Sequence, residues 1–231
     1  SEEWIWLFSD DDIAASYCVE SFYNRKNKAG MFYKFNTKII DKNNNVLNSR
    51  YDSKNYSKNS LSSQLFIQNR LASNGFRSFA VEYIFHRDLY KKYHFIDFPL
   101  AWASDDATWL IYSLKNNNNI DILDCEVYWR LSRSNISSNV KDLLIINQKI
   151  EASKRFILWL KKISLEYNVQ LPDKLLLKWI SFQLASFDRT ISFNEYQDII
   201  KSLNLKILKI ELLKYYSIIQ YFYFKNKVNF I

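Results

Sequence analysis

The chain contains only two glycines in 231 residues, Gly30 and Gly75. That scarcity excludes the glycine-rich turns with which a Rossmann fingerprint or a P-loop brings backbone against phosphate. A nucleotide, if one is handled, must be held by another route. Cysteine is as scarce: Cys18 and Cys125 lie far apart, and neither belongs to a CxxC pair. A disulfide framework and a zinc site are therefore not expected, and a reducing cytosol is the default compartment. No apolar run reaches the roughly 20 residues that span a bilayer. No basic-then-apolar leader opens the sequence.

What the chain does have is apolar and aromatic mass, 48% hydrophobic and 17% aromatic. This excludes disorder and suffices for one well-buried core with an appendage, or for two small domains. The sequence begins at Ser1 and enters the apolar run Trp4-Ile5-Trp6-Leu7-Phe8 almost at once. A buried strand so close to the start reads as an N-terminally truncated frame. The net charge of +8 is uneven: residues 151–231 hold 13 Lys/Arg against 7 Asp/Glu, whereas the first 150 hold 19 against 17. The basic surplus belongs to the tail.

Periodicity predicts a strand over 4–9, a helix over 13–24 and a strand over 30–40. A loop rich in Asn, Ser and Lys follows over 41–62. Helices are predicted over 64–72, 88–93 and 104–114, with strands over 79–85 and within 120–130. After residue 139 the pattern turns wholly helical, over 140–167, 173–187, 193–202 and 205–224, broken at Pro172 and at 188–192. The expectation is an α/β domain over 1–138 and an all-helical tail over 139–231.

Two carboxylate clusters carry the chemistry. Asp10, Asp11 and Asp12 follow the first strand directly. Three adjacent acids repel one another, and a divalent cation with hard-oxygen preference would neutralise them. The alternative is that they cap the helix over 13–24 and meet its dipole. Asp105 and Asp106 follow Ser104 at the start of another helix, flanked by Trp102 and Trp109. Here the reading is a base at a helix start, and the alternative is again N-capping.

The segment Trp4-Ile5-Trp6-Leu7-Phe8-Ser9-Asp10-Asp11-Asp12 resembles the strand and DxD motif of family 2 glycosyltransferases of the GT-A fold. The segment Phe95 to Trp109, with Asp105-Asp106, is similar to that family's acidic ED region. Val127-Tyr128-Trp129-Arg130, followed by Arg133, Asn135, Ile136 and Ser137, resembles the closing strand and polar segment of bacterial members. The three come in the family's order over residues 4–138, though the βα units that bind the nucleotide base are missing.

The resemblance implies an inverting glycosyltransferase of surface polysaccharide or glycan synthesis, taking a nucleotide-sugar donor and a glycan or lipid-linked acceptor. It implies Mn²⁺ or Mg²⁺ held through Asp10, Asp11 and Asp12, either as Asp10 with Asp12 or as Asp11 with Asp12. It makes Asp106 the catalytic base, with Asp105 in place of the usual Glu and nearer the acceptor. On that basis Asp106→Asn is expected to abolish transfer and spare donor binding. Arg130 would approach the donor diphosphate. Trp102 and Trp109 would stack on acceptor sugars, unless they are core residues.

Other readings stand beside this one. A truncated, inactive transferase could serve as an interaction or membrane-associated module. A metal phosphoesterase would need further His or Asp ligands that the sequence does not supply. His86 and His94 lack a carboxylate at ligand spacing, and no GxSxG elbow surrounds Ser9 or Ser104. Asn135-Ile136-Ser137 matches a glycosylation acceptor, which is idle in a cytosolic chain. The basic tail, with Lys206, Lys209 and Lys214 beside the aromatic run 215–224, suggests peripheral contact with the inner face of the membrane. The alternative is a solvated face of a packed helical unit. Interspersed Asp and Glu argue against nucleic acid.

Overall fold

A computed structural model describes residues 2–26, 30–47, 60–72, 78–131, 142–187 and 189–228. Arg133, the segment 135–137, Gly75 and most of the Asn-rich loop over 41–62 lie outside the described residues. The chain divides into two compact units. One comprises Ser1–Arg70, Asn74–Ile96 and Asp105–Arg133; the other comprises Leu71–Ser73, Asp97–Ser104 and Ser134–Ile231. The short stretch Asp97–Ser104 thus groups with the helical unit rather than with the sheet.

The first unit is mixed α/β. Its elements are β1 (Trp4–Trp6), β2 (Ile13–Ala14), α1 (Cys18–Lys26), β3 (Phe32–Ile40), β4 (Ser60–Ser62), α2 (Ser63–Ala72), β5 (Tyr83–His86), α3 (Arg87–Tyr93), α4 (Ser104–Lys115) and β6 (Asn119–Arg130). One sheet runs in the order β1-β5-β3-β6-β2, and β4 pairs with the start of β6. β5 is antiparallel to both β1 and β3, while β3 and β6 are parallel, from Tyr33 opposite Asp121 to Ile40 opposite Arg130. β1, β3 and β6 therefore all point the same way.

Both faces of β3 are covered, so its residues are buried almost without interruption, Lys34 and Thr37 included, rather than in a clean alternation. On one face Tyr33 and Phe35 join Cys18, Phe22, Leu123, Cys125 and Val127 in a core cluster. On the other, Phe32 and Tyr83 stack on Trp109 of α4, with centroids 5.7 and 4.7 Å away. Lys34 also points inward and forms a fully buried ion pair with Glu82 at 2.8 Å.

Cys18 and Cys125 form a disulfide, with Cα atoms 5.5 Å apart across a sequence separation of 107. This corrects the expectation that the chain carries no disulfide framework. α1 crosses β6, and that crossing, invisible in the spacing, brings the sulfurs together. The expected helix over 13–24 is also corrected. Ile13 and Ala14 pair with Tyr128 and Val127 as a short edge strand, and the helix starts only at Cys18.

The second unit is helical: α5 (Leu143–Tyr167), α6 (Asp173–Ala185), α7 (Phe193–Ser202) and α8 (Lys209–Val228). Its ends follow local chemistry. Asp142 accepts from Leu144 N and Ile145 N at the start of α5, and Asn168 closes it in the left-handed region at φ 54°. Ser192 caps α7 through Glu195 N. Phe156, Leu160, Leu176, Leu177, Trp179 and Tyr196 are among its buried residues. No helix among the described residues is long and apolar enough to cross a membrane.

Candidate active site

Strand direction decides where the acids lie. Asp10 to Asp12 follow the carboxyl end of β1, and Arg130 is the carboxyl end of β6. α4, with Asp105 and Asp106 at its start, leads through a short turn into the amino end of β6. α2 follows β4, and Arg70 sits in its last turn. Both acid clusters therefore belong to the α/β unit: the triplet lies against Arg130 at the carboxyl edge, and Asp106 lies near Tyr83, which pairs with Lys34 in the first half of β3. Ligands of open α/β sheets bind in the crevice at the carboxyl edge.

The acid triplet is built into this edge and does not cap a helix, because β2 intervenes before α1. Arg130 N donates to Asp12 Oδ1 at 2.9 Å, and Arg130 Nε donates to the Asp11 carbonyl at 2.8 Å. Its Nη1 donates to the Asp41 carbonyl and its Nη2 to Asn44 Oδ1, at 2.6 and 2.7 Å. Arg130 thus clamps the loop after β1 to the loop after β3. Ser9 Oγ donates to Asp11 Oδ1 at 2.6 Å, while Asp10 is exposed. Burial and the neighbouring carboxylates raise the Asp12 pKa above the usual range, against the hydrogen bond from Arg130.

Among the described residues, no group of three or more His, Cys, Asp or Glu side chains converges as a metal cage. Magnesium-type sites use one or two carboxylates and complete the shell with waters and substrate phosphates. Asp11 and Asp12, half-buried and fixed by Arg130, fit that kind of site and not a closed protein cage.

Asp106 is 3% exposed, and Arg70 holds both of its oxygens: Nε to Oδ1 and Nη2 to Oδ2, each at 2.6 Å. A bidentate guanidinium–carboxylate fork is the strongest and most directional ion pair available. The geometry makes Asp106 an anchor for α2 and α4. Asp105 is more open; its Oδ1 accepts from Asp106 N at 2.9 Å. Burial, and then the Asp106 charge, push its pKa up to about 7, against the pull of Arg70. Nearby, Tyr83 shares a 2.7 Å hydrogen bond with Ser78, and burial raises its pKa well above the usual value.

Removing one partner of a largely buried ion pair strands the other. Asp106→Asn is expected to destabilise the fold by about 3 kcal/mol. The double change Arg70→Met with Asp106→Leu should recover most of that. Urea unfolding of the three proteins checks this, and an Asp106→Asn protein as stable as wild type would deny the pair its structural role.

Trp109 is 1% exposed and packed between Phe32, Tyr83 and Phe85, so it offers no face to a sugar ring. The acceptor role is corrected to core packing. Trp102 is half-buried, and the Lys149 ammonium lies 4.6 Å from its ring centroid. His86 caps α3 by accepting from Asp88 N. The turn leading into α4 holds Leu100, Ala101 and Ala103 in the left-handed region, at φ 58°, 53° and 61°. Strain of this kind, unusual for residues with a Cβ, concentrates at functional sites.

Arg70 is the participant that sequence reasoning missed. It is an ordinary cation in a helical stretch, and nothing local marks its partner 36 positions away. A comparison with known families finds no matching family model, and no curated protein matches the chain.

Proposed function

We propose that the chain is a glycosyltransferase of the GT-A kind, moving a sugar from a nucleotide-sugar donor to a hydroxyl acceptor with inversion. The observation that carries this reading is the presence of two acid clusters on one α/β unit: Asp11 and Asp12, held against Arg130 at the carboxyl end of β6 and suited to a metal–diphosphate, and Asp105, suited to proton abstraction beside the anchored Asp106 at the start of α4. Asp11 and Asp12 would hold Mn²⁺ or Mg²⁺ together with the donor's diphosphate, where the cation acts as a Lewis acid on the leaving group. Arg130 keeps those two carboxylates in place through the loop it clamps. The acceptor oxygen attacks the anomeric carbon as the bond from that carbon to the diphosphate oxygen breaks. Its proton passes to Asp105. With a pKa near 7, Asp105 is a stronger base than an ordinary carboxylate and still ionises at neutral pH. Asp106, held by Arg70, positions the start of α4.

The reading places the work on the cytoplasmic side, at the inner face of the membrane. Disulfides are uncommon there. This one is enclosed, with Cys18 at 0% and Cys125 at 2% exposure, which keeps an attacking thiolate away.

The test is calorimetric titration with uridine diphosphate, with and without Mn²⁺, of the wild type and of the Asp10/Asp11/Asp12→Asn triple variant. Binding is expected to need both the ion and the aspartates. Binding that ignores Mn²⁺ and survives the triple change would instead favour a non-catalytic module.

A further inference from the structure

The outer face of α8 combines two properties that a solvated helix does not need. Positions 210, 213, 214, 217, 221, 224 and 225 recur at helical spacing and are all exposed. Four of them are large and apolar: Ile210 at 74%, Leu213 at 43%, and Tyr221 and Phe224 at 60% each, with Leu208 at 69% just ahead of the helix. Lys214 and Lys225 lie in the same stripe, and Lys206 and Lys209 are exposed beside its start. No carboxylate interrupts it. The one acid of α8, Glu211, is only partly exposed and is paired with Lys174 at 2.7 Å.

The opposite face is occupied. Tyr215 and Ile219 are buried within the helical unit, Phe222 meets Phe182 of α6 at 6.2 Å, and Tyr216 meets Phe193 and Tyr196 of α7. α8 is thus apolar on both sides, with only one side used. A helix apolar all round is ordinarily enclosed all round.

We infer that the outer face of α8 docks on an anionic lipid surface and lies in the plane of the interface. Charge decides between a bilayer and a protein partner. The stripe offers exposed cations only, which complements a uniformly negative sheet, and its aromatic and aliphatic side chains suit the boundary between headgroups and acyl chains. Lysine stems cover apolar surface while their ammonium groups reach the phosphates. Lys225 already lies over the Tyr221 ring, 5.9 Å from its centroid. The inference stands apart from the transfer reading.

The experiment is co-sedimentation of the full chain with vesicles of zwitterionic phospholipid, with and without anionic phospholipid. Binding is expected only when the anionic lipid is present, and it should weaken as salt is raised. Each lysine near the surface contributes about fivefold, so Lys209→Gln, Lys214→Gln and Lys225→Gln together should lower partitioning by about 100-fold. Leu213→Ser with Phe224→Ser should abolish it. Circular dichroism confirms that the helices persist in both variants, since all five positions are exposed. Equal binding to both vesicle types, or none with α8 intact, overturns the inference. So does a concentration-dependent dimer that the same substitutions dissolve, because the face would then belong to a second copy.

Discussion

Asparagine at position 105 is expected to slow transfer by about 10²–10⁴-fold, the usual contribution of a positioned base, with the fold and donor binding intact. Asparagine keeps an acceptor oxygen for Asp106 N, so the local hydrogen bond survives and only the proton-accepting function is removed. The pH dependence follows from the same group. Burial and the Asp106 charge raise Asp105 to about 7, so the wild-type rate should climb through neutral pH as the carboxylate ionises. The stability term has the opposite slope. A carboxylate raised in the folded state keeps its proton there from roughly pH 4 to 7, while the unfolded chain has lost it. Stability therefore falls as pH rises through that window and levels off above it, and Asp105→Asn should be free of this loss. Turnover of the variant at the wild-type rate, or a profile with no limb near neutrality, would remove Asp105 from the role. A folded, donor-binding but inactive Asp106→Asn protein would return the base to Asp106, as the family resemblance implies.

How far the sequence could be read depends on how local each determinant was. α7 occupies Phe193–Ser202 as expected, because Ser192 supplies the cap and the apolar spacing lies wholly within the helix. α4 likewise begins at Ser104, and α5 ends at Tyr167, where Asn168 takes the left-handed turn. The spacing of Ala14 with Cys18 and Phe22 is helical, whereas the backbone at Ile13 and Ala14 completes the edge of β6. Tertiary pairing overrode local pattern. The strand expected over 79–85 is displaced for a related reason: Ala80–Glu82 form a 3₁₀ turn, and pairing starts at Tyr83 with β3 and at Ile84 with β1. The two acid clusters were legible as clusters. Their places along the sheet needed the strand directions, and the hold of Arg70 on Asp106 needed α2 and α4 to meet in space. Lys34 and Glu82 left a readable trace, since each interrupts an apolar stretch with a charge, and the charges are opposite.

Removing the Cys18–Cys125 disulfide should cost more stability than any other two-residue change considered. Its separation of 107 residues means that the unfolded chain loses a long loop's freedom, worth roughly 4–5 kcal/mol in the chain-entropy account. For a protein of this size that corresponds to a melting point lower by about 10 °C or more. Cys18→Ala with Cys125→Ala, melted beside the wild type, measures it. Alkylation of the denatured, unreduced protein should find neither thiol reactive. Two reactive thiols, or unchanged melting, would sink the prediction. The loss should also reach the site, because the bond lies at the root of the acid loop. β2, the Ala15 N bond to the Glu126 carbonyl and the disulfide together fasten residues 13–18 to β6. With the covalent tie gone, only hydrogen bonds keep Asp11 and Asp12 against Arg130. Mn²⁺-dependent binding of uridine diphosphate should then weaken at temperatures where the circular dichroism of the double variant is still native. Loss of binding only in step with unfolding would mean that the disulfide acts on the whole fold and not on the acid loop.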